Sequence, residues 1–182
     1  MRRALRSNNM STWKLSVTEK GNTTMAFNNN NPSDLVIEDA KLLFTNFAGS
    51  PTRFNPEGKK REFSVAIPLN LVEDLEQDGW NIKYRKNQDG EFDPERPCLG
   101  VKVSYKFRAP AIWLVTGGRK QLLSEETVGT LDNITIKTAD VVIHPSLYDI
   151  RGQKGISAYV KELYVVMDDE SASFAAKYAD LD

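Results

Sequence analysis

Five residues between two apolar segments have the side chain types that contact a polyanion with flat bases. They are Arg53, Phe54, Lys59, Lys60 and Arg61. Lysine and arginine neutralise phosphates, and an exposed aromatic ring stacks on any base. Turn formers such as Gly49, Pro51 and Gly58 surround these residues and predict a loop between two strands. The segment therefore predicts contact with single-stranded nucleic acid, although Phe54 could also fold back into the core.

Further cations and aromatics lie in segments that alternate between apolar and polar residues. In the strand predicted over residues 98–108, Val101, Val103, Tyr105 and Phe107 alternate with Lys102, Ser104, Lys106 and Arg108. The first set predicts a core face, and the cations of the second set predict either a binding face or simply the solvated side of a sheet. The remaining candidates for binding are Lys83 and Tyr84 in an earlier strand, and Tyr148, Arg151 and Lys154 in the last loop between strands. Trp80, Trp113 and Tyr105 are expected mainly in the core.

No pattern in the chain predicts catalysis, a cofactor or a metal site. The chain has one cysteine, Cys98, and one histidine, His144, so it lacks the ligands of an ordinary zinc site. His144 is expected to be structural and Cys98 to be a small core residue. The neighbours Glu38 and Asp39 point to opposite faces of a strand and cannot share a site. No glycine-rich phosphate loop is present, so an enzyme is not expected.

Charge is distributed unevenly along the 182 residues, which carry a net charge of −1, with 40% hydrophobic and 27% charged residues. Residues 168–182 contain five acidic residues and one lysine, so this segment carries −4 and the rest of the chain +3. A basic body with an acidic tail fits a nucleic-acid binder better than the total charge does. No apolar run is long enough to cross a bilayer. A single cysteine fits a reducing compartment, so a cytoplasmic location is expected.

The order of predicted elements favours a mainly β fold. Strands are predicted over 35–47, 62–67, 80–85, 98–108, 112–115, 134–143 and 156–166, and short helices over 70–78 and 125–131. A five-stranded OB-type barrel has a helix between its third and fourth strands, which the second of these helices would be. The segment 112–115 is expected to pair back on the strand before it. A β-sandwich is the main alternative.

Three units are expected along the chain. Residues 1–34 are rich in Asn, Ser and Thr and predict a flexible, disordered arm, because such a segment cannot bury enough apolar surface to fold. Residues 35–167 form the OB-type domain, with an insertion at about residues 69–97 that contains a helix and a strand. Residues 168–182 form the acidic tail.

Four stretches of the chain resemble phage-encoded single-stranded DNA-binding proteins with an OB-type core. They read DLVIEDAKLLFTNFAG at 34–49, FNPEGKKREFSV at 54–65, DGWNIKY at 78–84 and LLSEETVGTLD at 122–132. The resemblance implies a protein of phage replication or recombination in the host cytoplasm that coats exposed single strands. It is best at the basic loop, from Arg53 to Arg61. Proteins of this role often end in acids followed by an apolar tip, whereas this chain ends Ala179-Asp180-Leu181-Asp182, so a tail that binds replication or recombination proteins is an expectation only.

The leading hypothesis is sequence-tolerant binding and protection of single-stranded DNA. Cations would neutralise phosphates while aromatic rings stack on bases. The alternative is a non-enzymatic β-domain for protein–protein interaction or virion structure. Single-strand binders often assemble, so a homo-oligomer is a further expectation.

Overall fold

The computed structural model describes residues 33–168, and these are mainly β. The strands are β1 (Leu35–Ile37), β2 (Leu42–Asn46), β3 (Arg61–Ala66), β4 (Ile82–Lys86), β5 (Phe92–Val103), β6 (Ala111–Thr116), β7 (Arg119–Leu123), β8 (Ile136–Ile150) and β9 (Gln153–Met167). One α-helix, α1 (Leu69–Gln77), and one 3-10 helix (Val128–Asn133) complete the elements. Residues 1–32, in the predicted arm, and residues 169–182, in the predicted acidic tail, lie outside the described residues. No helix within the described part is long and apolar enough to span a membrane.

Strand pairing closes a barrel with the predicted OB topology. The order of the sheet is β1-β8-β9-β5-β3-β2, and its two edge strands, β1 and β2, follow each other directly in the chain. Together they act as one bent first strand, which pairs with β8 through Leu35 and with β3 through Leu42. The third barrel strand, β5, runs parallel to the last, β9, with Val101 opposite Ala158. The five barrel strands are therefore β1 with β2, β3, β5, β8 and β9, as expected.

The core lies inside the barrel and follows the period of two that strands impose. Phe63 and Val65 of β3 are buried, and the rings of Phe47 and Phe63 stack with centroids 5.3 Å apart. The neighbouring strands β5 and β9 continue this core with their own buried residues, among them Leu99, Val101, Val103, Val160, Leu163 and Val165. The burial of these apolar side chains is the main favourable contribution to the free energy of folding.

The insertion between the second and third barrel strands consists of α1, β4 and the first half of β5. The helix begins at Leu69, one residue earlier than predicted, and its N-cap, Pro68, makes no side-chain capping bond. Leu71 and Leu75 bury the apolar side of the helix. The predicted strand at 80–85 is found as β4, and Trp80 just before it is in the core as expected.

Two predictions about the second half of the chain were wrong in detail. The helix expected over 125–131 is a 3-10 helix over Val128–Asn133, although it does lie between the third and fourth barrel strands. The segment 112–115 does not pair with the preceding strand. It forms β6, which pairs in parallel with β9 and in antiparallel with β7. The strand β9 lies about 50 residues later in the chain, and β7 follows β6. The apolar pattern of residues 112–115 is the same whether they pair with an earlier or a later strand, so it could not identify the partner.

Candidate nucleic-acid interface

The outer face of β3, β5 and β9 carries polar side chains. Because alternate residues of a strand point to opposite sides, Ser64, Gly100 and Lys102 face outward while their neighbours fill the core. Lys102 lies opposite Tyr159 in the register; its ammonium is 5.5 Å from that ring's centroid and 3.3 Å from Ser157 Oγ. The space above Gly100 is open. The face thus offers a cation beside an aromatic ring and room for a ligand.

The predicted basic loop, residues 47–60, leaves one end of this face and is held by hydrogen bonds. Ser50 N–H donates to Asn46 Oδ1 (2.8 Å), and Asn46 Nδ2 donates to the Ser50 carbonyl oxygen (3.0 Å). Buried Asn55 donates to the Gly58 carbonyl oxygen at 3.0 Å. These bonds leave the Phe54 side chain 91% exposed at the tip, so it is not a core plug.

Cations accompany the exposed ring at the tip of this loop. The Arg53 guanidinium lies 6.0 Å from the centroid of the Phe54 ring. Lys59 and Lys60 are exposed between the tip and β3. The root of the loop is fixed to the 3-10 helix, because Asp132 accepts hydrogen bonds from the backbone N–H groups of Phe47 (2.9 Å) and Ala48 (2.8 Å). The loop can therefore present charge and ring surface at a defined position.

Arg61 was predicted as the last cation of the basic loop, but it is the first residue of β3 and has partners inside the protein. Its guanidinium forms an ion pair with Glu125 at 2.8 Å and lies 5.8 Å from the Tyr105 ring centroid. Only 23% of its side chain is exposed. Burial raises the pKa of Tyr105, and Glu125 adds to this while Arg61 opposes it. Direct contact of Arg61 with a ligand would therefore compete with Glu125 and Tyr105.

A second exposed loop, residues 104–110, leaves the same end of the face. Arg61 is opposite Val103 in the register, so the loop after β5 begins beside the start of β3. The strand ends at Val103 and not at Arg108, so the prediction that Phe107 points into the core was wrong: its side chain is 99% exposed. Lys106 and Arg108, both exposed, flank that ring. The second loop therefore combines an exposed ring with neighbouring cations, as the basic loop does.

Lys83 and Tyr84 lie at the other end of the face but on opposite sides of β4. Lys83 is opposite Cys98, which shares the outward side of β5 with Gly100 and Lys102. Tyr84 points the other way, where its hydroxyl donates a 2.8 Å hydrogen bond to Glu76 on α1. This bond raises the pKa of Tyr84. Only Lys83 of the pair is therefore placed along the face. Cys98 is buried as expected, and burial raises the pKa of its thiol.

The β8–β9 hairpin flanks that same end. It was predicted as a loop over 147–155, but both strands continue almost to the turn, so Tyr148 and Lys154 are in the ladder. Arg151 is exposed in the turn itself, at a φ of 53°. Lys154 lies 3.9 Å from Asp149. The Tyr148 ring covers Gly155, on the outward side that also carries Ser157 and Tyr159.

Apart from Lys102 in the middle and Tyr84 on the other side of β4, the thirteen predicted residues lie in two groups at opposite ends of the face. The prediction missed Tyr159, although outward alternation in the last strand could have found it. It also missed Phe107 and Phe92, both exposed; the Lys86 ammonium lies 5.3 Å from the Phe92 ring centroid.

His144 belongs to an ion cluster at the start of the barrel. Its Nδ1 lies 2.8 Å from Asp34, and the same carboxylate accepts a 2.6 Å hydrogen bond from Lys161. Burial alone would raise the pKa of Asp34, but the bonds and charges of Lys161 and His144 outweigh it and hold that pKa below its ordinary value. Among the described residues, no three His, Cys, Asp or Glu side chains are grouped to hold a metal ion.

Three solved structures resemble this fold at low sequence identity. The single-stranded DNA-binding protein from bacteriophage Enc34, in a C-terminal truncation, is 12% identical with a TM-score of 0.48; the alignment covers 75% of this chain and 86% of that one. The same phage protein in complex with ssDNA is 10% identical, also with a TM-score of 0.48, over 75% and 87% of the chains. The single-stranded DNA-binding protein gp2.5 of bacteriophage T7 is 10% identical, with a TM-score of 0.34, over 81% and 94%.

No curated protein sequence matches the chain. The model of a protein family does: the phage ssDNA-binding domain matches residues 25–182, which is most of the sequence. The basic loop, the OB-type barrel and its outer face all lie within the matched range. The chain belongs to the family of phage ssDNA-binding domains.

Proposed function

We propose that single-stranded DNA crosses the outer face of β3, β5 and β9, between the two exposed loops at one end and the β8–β9 hairpin at the other. The observation that carries this proposal is the arrangement of rings and cations. Phe54 and Phe107 are exposed at one end beside Arg53, Lys106 and Arg108, and the Lys102–Tyr159 pair lies in the middle. This is the combination of stacking surface and charge that single strands require.

In this proposal the cationic side chains bind phosphates and the aromatic side chains stack on bases. Arg53, Lys59, Lys60, Lys106 and Arg108 contact phosphates at one end, and Lys83, Arg151 and Lys154 at the other. Neutralising phosphates releases condensed counterions, so affinity falls steeply as salt rises. Phe54, Phe107, Tyr159 and Tyr148 stack on bases; every base has a π-face, so binding tolerates any sequence.

Two of the predicted residues act in support of the site. Arg61 fixes the root of the basic loop through Glu125, at 2.8 Å, and Tyr84 ties β4 to α1 through Glu76, also at 2.8 Å. Removal of either side chain is expected to weaken binding by moving the elements that carry the contacts.

The biological role we infer is non-catalytic protection of single strands during phage replication or recombination in the host cytoplasm. In this proposal residues 35–167 are the binding domain, with the insertion at about 69–97. Residues 1–34 are an arm, and the acidic residues 168–182 recruit replication or recombination proteins.

The proposal is tested by fluorescence anisotropy of the full chain with labelled oligo-dT over a range of salt. We expect tight binding at low salt, a linear fall of log K with log salt, and a clear loss of affinity in Lys102→Glu. Lys137→Glu is the matched control, because Lys137 is exposed far from the face, next to the position where β8 pairs with Met167. Absence of binding at low salt would refute the proposal and favour a domain for protein–protein interaction or virion structure.

A further inference from the structure

A second cluster of aromatic rings lies on the same outward side of β9, beyond the proposed interface. Trp113 of β6 is opposite Tyr164 of β9 in the register. Their rings are stacked on each other, with centroids 6.3 Å apart and planes parallel to within 10°. Lys120 of β7 places its ammonium 4.7 Å from the indole centroid. We call Trp113, Tyr164 and Lys120 the hairpin platform.

The hairpin platform is continuous with the Lys102–Tyr159 pair along one strand. Tyr159 is opposite His144 and Tyr164 is opposite Asp140, with a bulge at Lys161 that restores the outward direction after Val160 and Leu163 enter the core. The two tyrosines are five positions apart, which corresponds to ~16 Å of extended chain. Both clusters therefore face outward from β9, one after the other.

The composition of the platform matches that of the interface. In each of the pairs Arg53–Phe54, Lys102–Tyr159 and Lys120–Trp113, a cation lies within 6.0 Å of an outward ring. Trp113 was expected mainly in the core, yet it is only partly buried. A partly exposed ring beside a cation is the combination that single-strand binding sites use for bases and phosphates.

The geometry points to the hairpin platform as a second stacking site for single-stranded DNA, reached only by strands that extend past Tyr159 along β9. This inference rests on the proposed function. It predicts that the β6–β7 hairpin lengthens the binding site, so that short oligonucleotides ignore the platform and longer ones use it. Among the described strands β7 pairs only with β6, and it carries Arg119 and Lys120, charges that oppose pairing with another sheet edge.

The test is an oligo-dT length series from about 4 to about 16 nucleotides, the range of site sizes for OB folds. Lys120→Glu is expected to bind the shortest oligonucleotides like the wild type and to lose about tenfold on the longest. Arg119→Glu is the matched control: it makes the same charge change in the neighbouring residue, which points to the other side of β7. Both residues are exposed, so both variants are expected to fold.

Tryptophan fluorescence gives an independent readout. Long oligonucleotides are expected to quench the wild-type emission more than that of Trp113→Phe, a variant that keeps a ring in place, and short ones are expected to quench both equally. If Lys120→Glu and Arg119→Glu behave alike at every length, or the quenching by long oligonucleotides persists in Trp113→Phe, the platform binds no DNA. If no oligonucleotide binds the wild type at all, the proposed function itself fails, which is a different result.

Discussion

Truncation of Phe54 to alanine is expected to weaken DNA binding without weakening the fold. The Phe54 side chain is 91% exposed. The Arg53 guanidinium lies 6.0 Å from the centroid of its ring. Because removal leaves no cavity, the free energy of unfolding should change by no more than ~0.5 kcal/mol. A stacked base is worth ~1–3 kcal/mol, so Kd should rise about 5- to 140-fold.

The salt dependence of DNA binding distinguishes the contribution of the Phe54 ring from that of the Arg53 charge. Phe54→Ala removes no cation, so the slope of log K against log salt should stay that of the wild type. Arg53→Ala should reduce the magnitude of the slope by about 0.7, the value for one phosphate contact on a single strand. Phe54→Tyr is the matched control, because it retains a ring and should bind like the wild type.

Anisotropy titrations with labelled oligo-dT at several salt concentrations, combined with thermal melting, measure both quantities. Wild-type affinity in Phe54→Ala would refute stacking at this position. A loss of affinity that also appears in Phe54→Tyr would show that the loop's shape, and not the ring's stacking, is responsible.

Three further predictions concern the supports of the site. Asp132→Ala removes the acceptor of two backbone N–H groups, of Phe47 at 2.9 Å and Ala48 at 2.8 Å, and should cost ~1–3 kcal/mol in urea unfolding; an unchanged midpoint would contradict this. Gly155→Ala would place a Cβ 2.5 Å from Tyr148 Oη, so the ring must move; Tm should fall, and Tyr148→Phe, which lacks that oxygen, should relieve part of the loss. Asp34 has a pKa below its ordinary value of 3.8, so its stabilisation is present above that pH and is lost as pH falls through the native pKa. The Tm difference between wild type and Asp34→Asn should therefore be full at neutral pH and shrink in acid, and a difference that is independent of pH would count against the Lys161–His144 cluster.

Local patterns in the sequence determined the class of fold, the barrel order and much of the core. Alternation in Phe63, Val65 and in Val101, Val103 reports which side of a strand is buried, because the side-chain period of a strand is two and needs no knowledge of its partners. The turn formers around Phe54 likewise predicted an exposed loop. These signals span only a few residues, so the chain carries them before it folds.

The contacts between cations and aromatic rings depend on the tertiary fold and could not be predicted from local patterns. Arg61 pairs with Glu125, 64 positions away, and Lys102 lies beside Tyr159, 57 positions away. Phe107 is exposed because β5 ends at Val103. Trp113 lies beside Tyr164 because β6 pairs with β9. Contacts between distant strands depend on register and closure of the whole barrel, and a shift of one residue would turn each ring to the opposite face.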